Sequence, residues 1–260
     1  MSYNPTEIPA ESIESKPLPP GAYQPQPQSL ILQIKPAKPL VSYSLIGITI
    51  FFFLLQMSSQ FLLNDDILIV WAAKYNHLIR EGEYWRLITP IFLHGSFIHI
   101  AFNMYALYVI GPGLEAYYGN LRFLVLYLLA GYAGNVFSFI LSPEPSLGAS
   151  TSIFGLIGAQ GIFIYQNRFL FGKKARPLLI NIITITLINL TLGLSPRIDN
   201  WGHLGGLVGG LIFAWFAGAA FKITGDLQRL VLDEKKTFPR YLFFALIEFV
   251  LLSILLAVSL

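Results

Sequence analysis

The sequence predicts an all-α polytopic membrane protein, and three observations carry that prediction. First, 55% of its 260 residues are hydrophobic and 12% charged, whereas a soluble domain carries about a quarter charged residues. Second, the apolar runs are continuous, which argues against a β-barrel, whose spans alternate over about ten residues. Third, the few polar side chains inside those runs are clustered rather than scattered, and polar groups in lipid are costly enough that clusters point to function. With no cysteine there is no disulfide framework, no Cys-ligated metal site and no thiol nucleophile. No metal or cofactor is called for, and nothing resembles a nucleic-acid-binding module.

Residues 1–40 are rich in Pro, Gln and Ser without apolar periodicity, so they read as a solvated, disordered tail. The tail has neither a basic start with an apolar core nor an Arg-rich, acid-poor composition, so it resembles no secretory signal or transit peptide. Apolar runs follow at Leu45–Leu63, Phe97–Ile110, Phe123–Leu141, Thr151–Tyr165, Leu178–Leu194, Leu204–Phe221 and Tyr241–Leu260. These are seven candidate spans, and the second and fourth fall short of the roughly 20 residues a bilayer asks for. The segment 64–93 is too polar to cross, yet carries Trp71, Tyr75, Tyr84, Trp85 and Phe92. It is expected to lie in the membrane interface. Residues 41–222 are expected to form the core, and 223–260 a cytoplasmic linker with the seventh span.

Lys/Arg bias gives the orientation. With the N-terminus in the cytoplasm, only Lys74, Arg80, Arg86 and Arg197 of the 17 basic residues fall outside. That places the chain as a multi-pass protein with a cytoplasmic N-terminus, in a bacterial plasma membrane if the tail is taken as a guide. Ser150 and His203 then lie near the outer ends of their spans.

The stretch Gly148-Ala149-Ser150-Thr151-Ser152-Ile153-Phe154-Gly155 turns a loop (Ser142-Pro143-Glu144-Pro145-Ser146) into an apolar helix. A serine there sits beside helix N-terminal N–H groups that have no intrahelical partner, which is half of an acyl-transfer site. His203 is the candidate base. Gly202, Gly206 and Gly210 recur every fourth residue, matched by Gly155 and Ala159 on the serine's helix. Such small-residue stripes let backbones approach and would bring His203 to Ser150. Phe154, one turn after Ser150, is placed to pack on the His203 ring. His99 and Asn103, four apart on one helix face, either donate to a developing oxyanion or act as interhelical glue. Asp199 reads first as a cap on the His203 helix and second as the acid of a triad. Glu248, mid-span, must be protonated or paired.

Together these elements resemble the rhomboid family of intramembrane serine proteases. The resemblance covers residues 80 to 212 and rests on five motifs: Trp85-Arg86; the His94…His99…Asn103 run; Gly111-x-x-x-Glu115-x-x-x-Gly119; Gly148–Ser150; and Gly202-His203-Leu204-Gly205-Gly206. It implies a six-helix core plus one C-terminal transmembrane helix, and a Ser150–His203 dyad in a water-filled cavity. It also implies an oxyanion hole from His99, Asn103 and the Ser150 N–H, and transmembrane proteins as substrates. Trp85-Arg86 would belong to the interfacial segment and Glu115 to structural contacts. Phe154, Gly155 and Gly206 would pack the dyad. One departure stands out: Thr151 occupies a position that is usually glycine in the family and could narrow the substrate site. Two other readings compete. One is a catalytically silent relative that binds or chaperones client transmembrane helices, which typically lacks the serine or histidine. The other is a channel or transporter, which predicts an internal repeat that the sequence does not show.

Overall fold

The computed structural model describes residues 37–195, 198–226, 229–234 and 240–260. The expected disordered tail therefore lies, except for residues 37–40, outside the described residues. So does Arg197, one of the residues used to assign orientation.

Among the described residues seven long helices form the bundle, each built on one of the apolar runs: α1 (Leu40–Leu63), α4 (Phe97–Tyr118), α5 (Asn120–Leu141), α6 (Ser150–Gln166), α8 (Ala175–Leu192), α9 (Asn200–Ala217) and α10 (Arg240–Ser259). Short helices α2 (Ile67–Ala72) and α3 (Asn76–Arg80), with two 3-10 turns at Tyr84–Leu87 and Thr89–Phe92, make up the segment between α1 and α4. The four-residue α7 (Arg168–Phe171) precedes α8.

Among the described residues five helices are long and apolar enough to cross a membrane alone: α1, α4, α5, α10 and the Arg168–Leu192 unit. The two left out are α6, at 17 residues, and α9, at 18 residues with five glycines in its sequence. Both are sheathed by other helices, so they need less length and less hydrophobicity to be stable in the bundle. The second run also extends further than expected. α4 continues through Pro112 to Tyr118, because neighbouring helices shield the local break that a proline makes in the backbone ladder.

α5, α6 and α9 are the inner layer, while α1, α4, α8 and α10 present apolar side chains such as Phe51, Phe102, Ile183 and Leu251 outward. The inner contact is backbone on backbone. A Cβ at Gly206 would fall 2.0 Å from the Thr151 carbonyl oxygen, and one at Gly210 2.1 Å from that of Gly155. On the other side of α6, Gly155 meets Ala130 of α5. Without a hydrophobic driving force inside lipid, this close van der Waals contact is what holds such helices together.

Glu115 is buried near the end of α4 and works as a cap on another helix. Its carboxylate accepts from the N–H of Val41 and of Ser42, both at 2.8 Å, from Ser42 Oγ at 2.6 Å and from Asn120 Nδ2. A negative charge at the α1 N-terminus satisfies donors that the helix itself cannot.

Between α9 and α10 the chain forms a two-stranded antiparallel hairpin, β1 (Phe221–Asp226) and β2 (Arg229–Glu234), with Phe221 opposite Glu234. The two strands fall within the stretch expected to link to the seventh span. Arg122, at the start of α5, pairs with Glu234 and stacks on Tyr241. Asn167 Oδ1 accepts from Phe221 N at 2.8 Å. Glu248 of α10 is buried against α9: a Cβ at Gly209 would lie 3.3 Å from its Oε1. That oxygen has no hydrogen-bond partner among the described residues.

The seam between α6 and α9 gives a direct test. Gly206→Ala should lower stability by about 2 kcal/mol, as overpacking in a filled core does, seen as a lower thermal midpoint in detergent. Gly47→Ala on α1, with nothing within 4 Å of the added carbon, should leave the midpoint unchanged.

Candidate active site

Three helix N-termini, those of α4, α6 and α9, meet at one end of the bundle, together with the C-terminus of α5. The interfacial segment 64–93 lies across them. It is amphipathic: Ile79, Leu87, Ile91 and Leu93 are buried, while Trp71, Tyr84 and Trp85 are exposed. Its polar core is a set of side chains that satisfy backbone carbonyls. Arg86, buried, donates to the carbonyls of Ala73 at 2.8 Å and Val70 at 2.9 Å and pairs with Glu83. Gln56, buried in α1, exchanges bonds with the His94 backbone and donates to Asp66. Asn135 of α5 donates to the Leu87 carbonyl at 3.0 Å.

The loop leading to Ser150 hangs on this segment. Lys74 and Ser146 pair through both backbone groups, at 2.9 and 3.1 Å. Gly148 N donates to Pro90 O at 2.9 Å, and Ala149 N to His94 Nε2 at 3.5 Å. Burial pushes the His94 pKa down to about 3, with the neighbouring His99 ring adding to the effect. Its imidazole is therefore neutral and serves as the acceptor. Gly148 has φ +130°, a conformation open to glycine, and a Cβ there would come within 2.8 Å of His99 Nε2 and 3.6 Å of Ser150 Oγ. Glycine at 148 thus lets the His99 ring lie against the backbone just before the serine.

Ser150 is the first residue of α6, and its Oγ lies 2.9 Å from His203 Nε2 of α9. Phe154 stacks on the His203 ring, centroids 4.4 Å apart and planes at 16°. His203 Nδ1 is buried without a protein partner among the described residues. Asp199 is the cap of α9: its Oδ1 accepts from Gly202 N at 2.9 Å, and it makes no bond to the imidazole. Asn103 Nδ2 donates to the His99 carbonyl one turn back, at 2.9 Å, leaving one amide hydrogen for another acceptor. Its side chain makes no bond to Ser150 or His203 among the described residues.

Thr151, the departure that could narrow the substrate site, is 4% exposed. Its side chain is buried in the seam facing Gly134 of α5 and Gly202 of α9. Two glycines make the room that a third, at 151, would otherwise supply. A cavity of about 740 Å³ opens between the loop after α5, the end of α8 and the start of α9, with Glu144, Leu190, Asp199 and Trp201 on its walls. Ser150 and His203 do not line it.

One buried charge beneath the loop that leads to Ser150 has no signature in the sequence. Lys74 is fully buried, and its ammonium donates to Ser138 Oγ (2.9 Å) and to the carbonyls of Ser138 (3.2 Å), Ser142 (3.2 Å) and Glu144 (2.8 Å). A lone lysine in a polar loop carries no local signal that it will turn inward.

The fold and site define a multi-pass helical membrane protein with a hydrogen-bonded serine–histidine pair at one end of its inner three helices. The family model described as the rhomboid domain matches residues 81–220, and the chain belongs to the rhomboid family. It is similar to rhomboid protease GluP of Bacillus subtilis (strain 168), 45% identical over 184 residues, 70% of this chain and 35% of that protein. It is also similar to two Arabidopsis thaliana proteins. RHOMBOID-like protein 9, chloroplastic, is 36% identical over 149 residues, 57% of this chain and 34% of that one. RHOMBOID-like protein 2 is 32% identical over 190 residues, 73% of this chain and 59% of that one. The chain thus spans about a third to three fifths of these relatives.

The Asp199 geometry separates a cap from a triad acid. Asp199→Ala should cost about 1 kcal/mol of stability through the lost cap, and Asp199→Asn almost none. Reactivity of Ser150 toward an acylating probe should survive in Asp199→Asn within a few-fold, whereas a triad acid would cost about 10⁴-fold.

Proposed function

We propose that the chain is an intramembrane serine endopeptidase that hydrolyses peptide bonds in or near the transmembrane segments of membrane-protein substrates. The observation that carries this reading is the 2.9 Å contact between Ser150 Oγ and His203 Nε2 inside a bundle of membrane-spanning helices. The name of the Bacillus relative, a rhomboid protease, supports it.

In this reading His203 Nε2 takes the Ser150 proton as Oγ attacks the substrate carbonyl. The developing oxyanion is met by the Ser150 backbone N–H at the start of α6, by His99, and by the remaining Asn103 amide hydrogen. Preorganised donors of this kind lower the barrier by about 3 kcal/mol each in a site shielded from bulk water. His203 then delivers the proton to the leaving amine, and the same nitrogen activates the water that cleaves the acyl-enzyme. With no carboxylate on Nδ1, ring orientation falls to Phe154, whose stacked face restricts rotation of the imidazole.

The Lys/Arg distribution supports a cytoplasmic N-terminus. Arg122, Arg168, Lys173, Lys174, Arg176, Lys222 and Arg240 gather where α5 begins and α6 and α9 end, the end of the bundle away from Ser150. The serine would then open toward the outer face, in a bacterial plasma membrane. Water and the unwound substrate segment would enter from that side.

The test is labelling of the detergent-solubilised chain by a fluorophosphonate, beside cleavage of a single-span substrate. Wild type should label and cleave, Ser150→Ala should do neither, and His203→Ala should lose about 10³-fold or more in rate. Unchanged cleavage by Ser150→Ala would overturn the assignment. A folded wild type that neither labels nor cleaves would favour a silent, client-binding relative.

A further inference from the structure

The serine has to be delivered to His203 by the strand of loop that precedes it, and that loop has little fabric of its own. From Ser142 to Ala149 it is held from outside. The Ser142 and Glu144 carbonyls go to Lys74 Nζ, that of Ser142 also to Asn76 Nδ2, Ser146 to the Lys74 backbone, Gly148 to Pro90 and Ala149 to His94. Lys74 supplies three of these six attachments. Its ammonium also sits where α5 ends, on the carbonyl and hydroxyl of Ser138. A cation is favoured there because the last carbonyls of a helix lack internal partners.

We propose that Lys74 is a positioning residue for Ser150: its ammonium holds the 142–146 loop in the register that delivers the serine to His203, and loss of its proton releases that register. The inference rests on the peptidase reading of the dyad and names a part of the machinery that the dyad itself does not contain.

Four acceptors converge on a group with three N–H donors, and the neutral amine keeps only two. Deprotonation therefore withdraws one N–H and the charge. The Ser142 carbonyl keeps Asn76 Nδ2 at 3.0 Å and the Ser138 carbonyl keeps Ser142 N at 2.9 Å. What weakens is the charge-assisted hold on the Glu144 carbonyl, and the loop is freer to move. The charged groups facing Lys74 are Asp199, at the start of the His203 helix, and Glu144 in the loop itself. α5 contributes only the Ser138 hydroxyl and backbone carbonyls. Burial pushes the lysine down to about 8, against the opposite pull of Asp199 and Glu144. The proton is thus held at neutral pH and lost as pH rises through about 8.

The thermodynamic sign sets this role apart from a purely structural one. An unfolded lysine keeps its proton to about pH 10.4, so between the two values the unfolded chain binds more protons. Lys74 then contributes rising, not falling, stability with pH in that window. A decline in reactivity there cannot be reported as unfolding driven by this group.

The experiment follows fluorophosphonate labelling rate, thermal midpoint and amide exchange in the full chain, on both sides of pH 8. Wild-type labelling should fall on the alkaline side with no matching fall in midpoint. Exchange at 144–150, corrected for its intrinsic pH dependence, should rise in step. Lys74→Met should label about tenfold more slowly or worse, as small misplacements of reacting groups do, with no alkaline fall and with rapid loop exchange at every pH. Ser138→Ala, which removes one acceptor and leaves the fold, should move the alkaline fall to lower pH; this variant decides the matter should Lys74→Met not fold. Wild-type rates and protected loop amides in Lys74→Met, or an alkaline fall that persists in it, would overturn the proposal. If wild type takes no label, the peptidase reading fails. Loop exchange still reports on Lys74, and protection unchanged by its replacement or by pH would overturn the positioning role on its own.

Discussion

The architecture depends on the contact between α6 and α9, where two helix backbones touch without side chains between them. Gly206 lies against the Thr151 carbonyl and Gly210 against that of Gly155. Any Cβ at these positions would push the helices apart by more than the slack in a hydrogen bond. Ser150 and His203 sit just above the seam on its two sides, so their 2.9 Å contact is set by how closely the glycines let the backbones approach. The accommodation of Thr151 belongs to the same constraint: its methyl occupies a notch that Gly134 and Gly202 leave open.

A helix seam fixes the axes of α6 and α9 but not the chain that enters them. That task falls to the interfacial segment, whose energetics follow from a single rule: carbonyls near the hydrocarbon need a partner inside the protein. Arg86, Gln56, Asn135 and Lys74 each meet that need with a buried side chain rather than with regular secondary structure. The result is an irregular but fully tethered cap over one end of the bundle, exposed through Trp71 and Trp85 and rigid through its polar interior.

Charge is used sparingly and at helix ends. Glu115 caps α1, Asp199 caps α9, and Lys74 closes α5. Asp199 shows why a short distance in sequence from an acid to a histidine is a poor guide to a triad. Three residues before Gly202, its carboxylate is already engaged by a backbone N–H of the first turn, the strongest local claim on it. The group found against the His203 ring is Phe154, stacked on its face.

Much of the fold was legible because it is a matter of local composition. The seven apolar runs predict the seven long helices, and the fourfold spacing of Gly202, Gly206 and Gly210 predicts the packing seam. Serine at a loop-to-helix junction, a histidine one turn into another helix and Phe154 one turn after the serine could be placed relative to one another. Less was legible where length or partners are set by neighbours. α4 runs past Pro112, α6 and α9 depend on the helices around them, and the chain after α9 pairs into a hairpin. Glu115 could be assigned to structure, but its partners Val41 and Ser42 are more than 70 residues away. The sequence by itself determined which segments are helical and membrane-embedded and which polar residues sit at their ends, because periodicity and hydropathy act over a few residues. Only the tertiary structure decided that Lys74 turns inward, that Asn103 bonds back to its own helix and that His203 Nδ1 goes without an acid. Those outcomes depend on which carbonyls and rings come within 3 Å or so across the bundle, and nothing in a local stretch of chain encodes that.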